Sequence, residues 1–536
     1  MRPLLFLPLI LAATAQDERA PENAAKPERS PERTTPGQHE SPDRPASEKE
    51  EAKVIVEVSD NAVPAPKELL KSVARISTTQ QGWNQRQPWE KLSPSKRRSL
   101  GVIVDGNKVL TTAEMAADAT YIELESPDGK RIAPAKVVAV DYEANLALLG
   151  PQDAAAEKFF AGTKPLQIAA RPKPGDKLDI LQVEENGSPL VTTGGIQSID
   201  VISNFLPGQF FLNYEVKASM QSAANSFSLP VLRGTKLAGI LTSYDSKDQI
   251  SDVTATDIIE RFVREGADGN YAGFPSLGIA ISRTEDSNFR AWLKLPEDGG
   301  GLYVSNVRVG SSAEKGGLKK GDVITSIDGH EIDRLGYFDD EHYGRLYWSH
   351  LVRGAKSSGD KVTMELIRDG QPQKIETTLD RRDEKDQLVP AYTFGKGPSY
   401  LVKGGLIFQE LTRPYLETYG EEWQTRAPLP LLDVYENPQK YESRGRRIVV
   451  LSAVIPTPAT VGYERLNDMI VKKVNGKDIK DIKSLAEAFR EPGPEGIHSI
   501  EFDDERLTLS LDEAASSAVD SQLVKRGLSP LSRTAD

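Results

Sequence analysis

The sequence predicts a mainly β fold. Between residues 73 and 140, short runs rich in Val, Ile and Leu follow one another without intervening long helices. The turn dipeptides Asp105-Gly106 and Asp128-Gly129 separate those runs, as hairpin connections require. Further along, a strand, an Asp-Gly or Asn-Gly turn and a second strand occur twice, over residues 321–332 and 468–479, which points to an internal duplication.

The elements follow in order. Strands are expected at 73–76, 100–104, 109–111, 121–124 and 137–140. Closely spaced strands without intervening long helices favour a sandwich or barrel. Residues 257–263 read as a helix closing this β domain, with Asp257 at its start. An amphipathic helix over 482–489 follows the second repeat. His342 and His350, near Asp339, Asp340 and Glu341, are read on one helix about two turns apart, too far for a paired chelate at i, i+4. No metal or cofactor is therefore expected.

Composition narrows the function classes. At 536 residues, the length fits about three domains at roughly 150 residues each. A net charge of −12 with no basic stripe argues against nucleic-acid binding, where phosphate contacts supply most of the affinity. Cysteine is absent, so disulfides, thiolate metal sites and a Cys nucleophile are excluded. Arg2, the apolar run 4–13 and Ala13-Thr14-Ala15 read as a secretory signal peptide over 1–15, too short to span a bilayer. Residues 16–66, rich in Pro, Glu, Arg, Ser and Lys, read as a disordered linker. No other stretch is apolar enough to cross a membrane, so no integral segment is expected after cleavage. An extracytoplasmic location follows, periplasmic or otherwise secreted.

Several motifs resemble those of a known family. The two repeats are similar to PDZ domains. In the first, Gly310-Ser311-Ser312-Ala313-Glu314-Lys315-Gly316-Gly317-Leu318 resembles a stretch of bacterial protease-linked PDZ domains. Upstream of it, Ser276-Leu277-Gly278-Ile279 resembles the loop whose backbone N–H groups converge on a peptide C-terminal carboxylate while the peptide adds as a strand. Gly404-Gly405-Leu406 could be the same loop in the second copy, with the insert from Thr412 to Arg447 placed to cover it. The β-rich part resembles the trypsin-like protease domain of the HtrA/Deg family, through residues 109–115, 136–149 and 225–240. Further motifs between 398 and 464 resemble the second PDZ region of plant-type Deg proteases. The resemblance implies a trypsin-like double β-barrel over 67–265, PDZ domains (α+β) over 271–385 and 395–512, and a C-terminal tail over 513–536.

The family's catalytic positions carry other residues here. The chain's histidines are His39, His330, His342, His350 and His498, so none lies between Lys67 and Val263. Glu114 stands at the position of the histidine base, and carboxylates are much weaker bases toward a serine hydroxyl. Asn145 stands where the family has the Asp that orients that histidine; an Asp→Asn change there costs about 10⁴ in turnover in serine proteases. The nucleophile position has three registers: residue type gives Ser226, Pro230 gives Phe227, and the upstream Ala218-Ser219-Met220-Gln221 gives Asn225. None keeps the glycines that surround the family's serine and form its oxyanion hole. The segment from Tyr244 to Thr254, beside the substrate in the family, is polar.

The resemblance thus implies an HtrA/Deg-like pseudoprotease that binds polypeptides or protein C-termini through Ser276, Leu277, Gly278 and Ile279, with no catalytic residues. It also implies a homo-oligomer, a trimer or a multiple of one. Two alternatives remain: an active serine endopeptidase using Ser226 with a non-standard base, and an adaptor subunit of an active Deg paralogue.

Overall fold

The structure is a computed structural model that describes residues 62–63, 67–203, 205–220, 228–381, 386–504 and 507–534. The expected signal peptide, nearly all of the linker, and Asn225, Ser226 and Phe227 lie outside the described residues.

The β-rich region forms two closed barrels. The first is built from β2 (Val73–Gln80), β3 (Ser95–Val104), β4 (Lys108–Thr111), β5 (Ala119–Glu125), β6 (Ile132–Asp141) and β7 (Leu146–Pro151), in the order β2-β3-β4-β7-β6-β5. The second comprises β8 (Lys177–Val183), β9 (Pro189–Ser203), β10 (Phe210–Lys217), β11 (Leu229–Arg233), β12 (Lys236–Asp245) and β13 (Ile250–Ala255), closed by pairing of β8 with both β9 and β11. Closure leaves no free strand edge in either. A short strand, β1 (Ala62–Val63), pairs with β9 at Thr192 and Val191, so the ordered body begins inside the stretch that composition assigned to the linker.

Inward residues explain the barrels. Ile76, Ile103, Val109, Leu124 and Leu149 fill the first, while Ile180, Tyr214, Val231 and Ile240 belong to a core that also takes Leu110 and Leu148. That shared core joins the two barrels. Helix α1 (Thr256–Gly266) closes the second barrel with Ile258, Ile259 and Phe262 buried. It starts from Ala255, so Asp257 lies within the first turn instead of at the cap.

The first C-terminal module contains β14 (Ile279–Ser282), α2 (Ser287–Trp292), β15 (Leu302–Val307), α3 (Ser312–Lys315), β16 (Val323–Ile327), β17 (His330–Glu331), β18 (Tyr337–Asp340), β19 (Gly344–Tyr347), α4 (Ser349–Arg353), β20 (Lys361–Arg368) and β21 (Gln371–Thr378). Its sheet runs β14-β15-β16-β20-β21, with β14 at the edge. His342 lies in the β18–β19 hairpin and His350 on α4, so they do not share a helix as the sequence implied; Asp340 accepts the His342 and Tyr343 N–H groups and fixes a tight turn there.

The second module repeats the plan with β22 (Tyr400–Lys403), β23 (Leu406–Glu410), α5 (Arg413–Glu417), α6 (Trp423–Arg426), α7 (Leu429–Glu436), β24 (Val449–Val454), β25 (Met469–Val474), β26 (Lys477–Asp478), α8 (Ile482–Ala488), β27 (Ile497–Phe502) and β28 (Thr508–Asp512). The matching turns Asp328-Gly329 and Asn475-Gly476 both have positive φ at each residue, 48° and 84° against 51° and 73°. That is the type I′ geometry which selects Asn-Gly and Asp-Gly. Residues 513–534 are not a free tail. Asp512 caps α9 (Glu513–Lys525), which buries Ser516, Val519 and Leu523, and β29 (Ser532–Arg533) pairs with β22.

Candidate functional site

The structure brings Glu114 and Asn145 together. Glu114 lies in the tight helical turn 113–115 that follows β4, and Asn145 ends the turn between β6 and β7. The Asn145 amide donates to Glu114 Oε1 at 3.1 Å and accepts the Glu114 N–H at 3.3 Å. Asn145 is fully buried at φ 54°, a left-handed conformation that Asn tolerates better than most side chains. The other carboxylate oxygen of Glu114 takes a hydrogen bond from Arg97 on β3 at 3.2 Å, and Gln80 Nε2 donates to the Glu114 carbonyl. The carboxylate is thus held by two donors, one from the β6–β7 turn and one from β3, as a structural pair would be.

Sequence reasoning missed Ser228. It is fully buried at φ 54°, and its hydroxyl shares a 2.8 Å hydrogen bond with Thr111 Oγ1, accepts from the Thr112 N–H at 3.3 Å and donates to the Leu100 carbonyl. It ties the start of β11 to the first barrel, two residues before Glu114. The available signal was positional: a small polar residue directly after the ambiguous stretch, facing two threonines.

The turn carrying Asn145 contacts several parts of the chain at once. Asp141 accepts from the Tyr271 hydroxyl at 2.9 Å and lies 4.0 Å from Arg381. Tyr142 packs on Tyr392 and Phe394, with ring centroids 5.1 and 4.7 Å away. Glu143 pairs with Arg353 at the end of α4. Arg353 also donates to Gln209 at 2.5 Å and lies 4.5 Å over the Phe211 ring. From α1, the buried Arg261 guanidinium caps the α4 end by donating to the Arg353 and Gly354 carbonyls at 3.0 and 2.6 Å. Burial lowers its pKa. Helix α4 is therefore held against the second barrel.

The other wall of the first module's groove holds the predicted loop. Ser276, Leu277, Gly278 and Ile279 line a recess of about 50 Å³ with Trp348, Ser349, Val352 and Arg353. Gly278 has φ 74°, its N–H donates to Ser276 Oγ at 3.2 Å, and a Cβ there would meet Ser311 at 2.5 Å and the Arg308 guanidinium at 3.1 Å. Glycine is thus required by both backbone and space. The Leu277 and Gly278 carbonyls accept from Ala313 and Arg308 N–H groups at 3.0 Å, which ties the loop to α3 and the end of β15. Behind it lies a second recess of about 190 Å³ lined in part by Arg308, Lys315 and Arg381, with Asp380 and Asp386 opposite. Burial pushes the Arg308 pKa down.

The second module's corresponding groove is filled from within. Strand β22 pairs along β23 and contacts α8, so it lies where β14 of the first module is open. The Gly404 N–H donates to Asp520 of α9 at 2.7 Å, and Lys403 lies 2.9 Å from Glu513 and 3.5 Å from Asp520. Burial raises the Asp520 pKa against the pull of these donors. The insert between Thr412 and Arg447 packs elsewhere, its Tyr415, Trp423 and Leu431 against Ile448, Val450 and Ile470. Helix α9, and not that insert, lies over Gly404.

Among the described residues, no group of three or more His, Asp or Glu side chains is placed to hold a metal ion. No helix among them is long and apolar enough to cross a membrane.

Two family models match the chain, each described as a PDZ domain, over residues 275–379 and 389–529. The chain is 27% identical over 474 residues to "Protease Do-like 2, chloroplastic" of Arabidopsis thaliana, covering 87% of this chain and 75% of that one. It is 24% identical over 421 residues to "Protease Do-like 4, mitochondrial" of the same organism, covering 78% and 76%. Among solved structures, the "HtrA-type protease AlgW with decapeptide" is 20% identical with a TM-score of 0.43, covering 59% of this chain and 96% of that one. The chain belongs to the HtrA/Deg serine-protease family and carries two PDZ domains.

Proposed function

We propose that this protein binds polypeptides through its first PDZ domain and does not cut them. The observation that carries the binding half is the loop Ser276–Leu277–Gly278–Ile279 at the head of an open edge strand, with a recess behind it where Arg308, Lys315 and Arg381 face Asp380 and Asp386. An extended chain can add to β14 through main-chain hydrogen bonds. The non-cutting half rests on Glu114 and Asn145. A glutamate whose two oxygens are engaged by Asn145 and Arg97 replaces the imidazole that such chemistry uses to take the nucleophile's proton.

On this reading Ser276, Leu277, Gly278 and Ile279 are the binding residues. The barrels serve as scaffold, and the protein acts outside the cytoplasm as an oligomer in protein quality control. The test uses the full chain and labelled peptides randomised over their last four residues, as free acids and as C-terminal amides. Free acids should bind at least tenfold more tightly. Equal binding of both forms, or none, would remove the carboxylate role.

A further inference from the structure

We infer that the first PDZ domain carries a second polypeptide site, on the outer face of its sheet, which takes an extended segment through its lysine side chains. This goes beyond the terminal groove, with which the site shares no lining residue. The site is a cleft of about 990 Å³ walled by β16, β17, β18, β20 and the loop 296–300. Ligand pockets commonly hold roughly 300–1,000 Å³, so this one has room for more than a single side chain.

Strand register fixes what faces the cleft. Ile327 pairs with Met364, and both lie in the core. Their neighbours Ser326 and Glu365 also pair, so these two point to the opposite face. On its other side Ser326 pairs with Glu331 of β17. Carboxylate, hydroxyl and carboxylate thus form one row over three strands, each about 4.8 Å from the next. Both glutamates are exposed. Ser326 is 7% exposed, lines the cleft and makes no side-chain hydrogen bond to any described residue. A polar side chain so well covered is normally satisfied, and a ligand donor supplies the partner it lacks.

The charge of the walls says which donor. They carry six carboxylates, Glu285, Asp298, Glu331, Asp333, Asp339 and Glu365, against the guanidiniums of Arg334 and Arg345. Arg345 already pairs with Asp333 at 2.5 Å and lies 4.4 Å over the Tyr337 ring, while Arg334 donates to the Glu297 and Gly299 carbonyls. Glu365 meets Lys374 at 3.4 Å and Glu285 meets Arg283 at 4.0 Å, both in exposed pairs that hold little. Among the described residues no group of three acids is placed to hold a metal ion. The charge suits cations spread along a chain. An ammonium has three donors and no acceptor, which matches Glu331, Ser326 Oγ and Glu365, whereas the planar guanidinium fork matches one carboxylate at a time.

The experiment titrates the full chain with fluorescein-labelled nonapeptides in which glycine alternates with Lys, Arg or Glu. All are C-terminal amides, which leaves the terminal groove no carboxylate. The Lys peptide should bind at least tenfold more tightly than the Glu peptide and about threefold more tightly than the Arg peptide. Glu331→Gln combined with Glu365→Gln should weaken the Lys peptide about tenfold. Glu157→Gln combined with Glu421→Gln removes the same charge from exposed sites elsewhere and should leave binding within about twofold. Ser326→Ala should bring the Lys and Arg affinities together. An unlabelled, lysine-free peptide with a free carboxylate should not displace the Lys peptide. The inference falls if the Glu331 and Glu365 variant binds as the wild type does, or if the control pair weakens binding as much. It also falls if the free-acid peptide displaces the Lys peptide, or if spermidine does so at equal amine concentration, which would make the cleft a small-amine site. The terminal-carboxylate reading is decided separately, by the comparison of free acids with amides.

Discussion

His350 shows how one side chain reports its surroundings. It is 6% exposed on α4, and burial holds its pKa down at about 4 from an ordinary 6.5, with Arg261 and Arg171 adding to the depression and Asp340 opposing it. The folded state therefore prefers the neutral ring. Above pH 6.5 neither state carries the proton and the group costs nothing. As pH falls from 6.5 toward 4, the unfolded chain takes up a proton that the folded one refuses, and stability drops. Between pH 7.5 and 5, the loss is about 2 kcal/mol at 1.36 kcal/mol per pKa unit. Calorimetry of the full chain at these two pH values should show the transition of the first PDZ domain falling in the wild type and falling clearly less in His350→Phe. Equal falls in both proteins would show that His350 is not the group responsible. At this scale the sequence was informative where spacing is local. Glu114 and Asn145 were singled out because the motifs around them, 109–115 and 136–149, resemble those of the HtrA/Deg family. The partnership of Glu114 with Arg97 was not legible, because it joins a turn to a neighbouring strand and no periodicity records it. Ser228 escaped for the same reason, since its partners Thr111 and Leu100 lie more than a hundred residues away in the chain.

Among elements, the C-terminal segment departs furthest from its sequence signature. Residues 513–525 are mostly Ala, Ser and charged groups, with Val519, Leu523 and Val524 the larger apolar side chains, so composition reads as solvated. Small residues nonetheless let a helix approach closely: a Cβ on Gly404 would come within 2.7 Å of Ser516. Tyr400, Val402, Ile407, Val519 and Leu523 form one buried cluster. Beyond it, the Arg533 guanidinium sits 3.8 Å over the Trp83 ring and 5.3 Å from that of Tyr400. Leu523→Ala should therefore lower the opening free energy of the Tyr400–Lys403 strand by about 2–4 kcal/mol, read by hydrogen exchange on the full chain. A change within about 0.5 kcal/mol would mark the segment as a surface appendage. The twin strand–turn–strand units, by contrast, were legible to the residue. Asp328-Gly329 and Asn475-Gly476 each demand two positive φ values, which few other residue pairs supply.

Across the whole molecule, the turn from Asp141 to Asn145 is the junction. Its residues reach Tyr271, the Tyr392–Phe394 aromatics, Arg353 of the groove helix and Glu114 in the turn after β4. It presents an amide to a carboxylate and otherwise joins the barrel to the PDZ region. Strand spacing and turn chemistry, being local, gave a sandwich or barrel and a duplicated strand–turn–strand unit, while the double barrel and the PDZ domains were implied by the motif resemblance. The filling of the second groove by its own chain was not legible, because it depends on strand order. The central claim, binding without cutting, is tested most directly by incubating unfolded casein with the full chain and following both by intact mass spectrometry, alongside a Ser226→Ala variant. The account predicts casein of unchanged mass with both proteins. Casein fragments that form with the wild type and vanish with Ser226→Ala would contradict it.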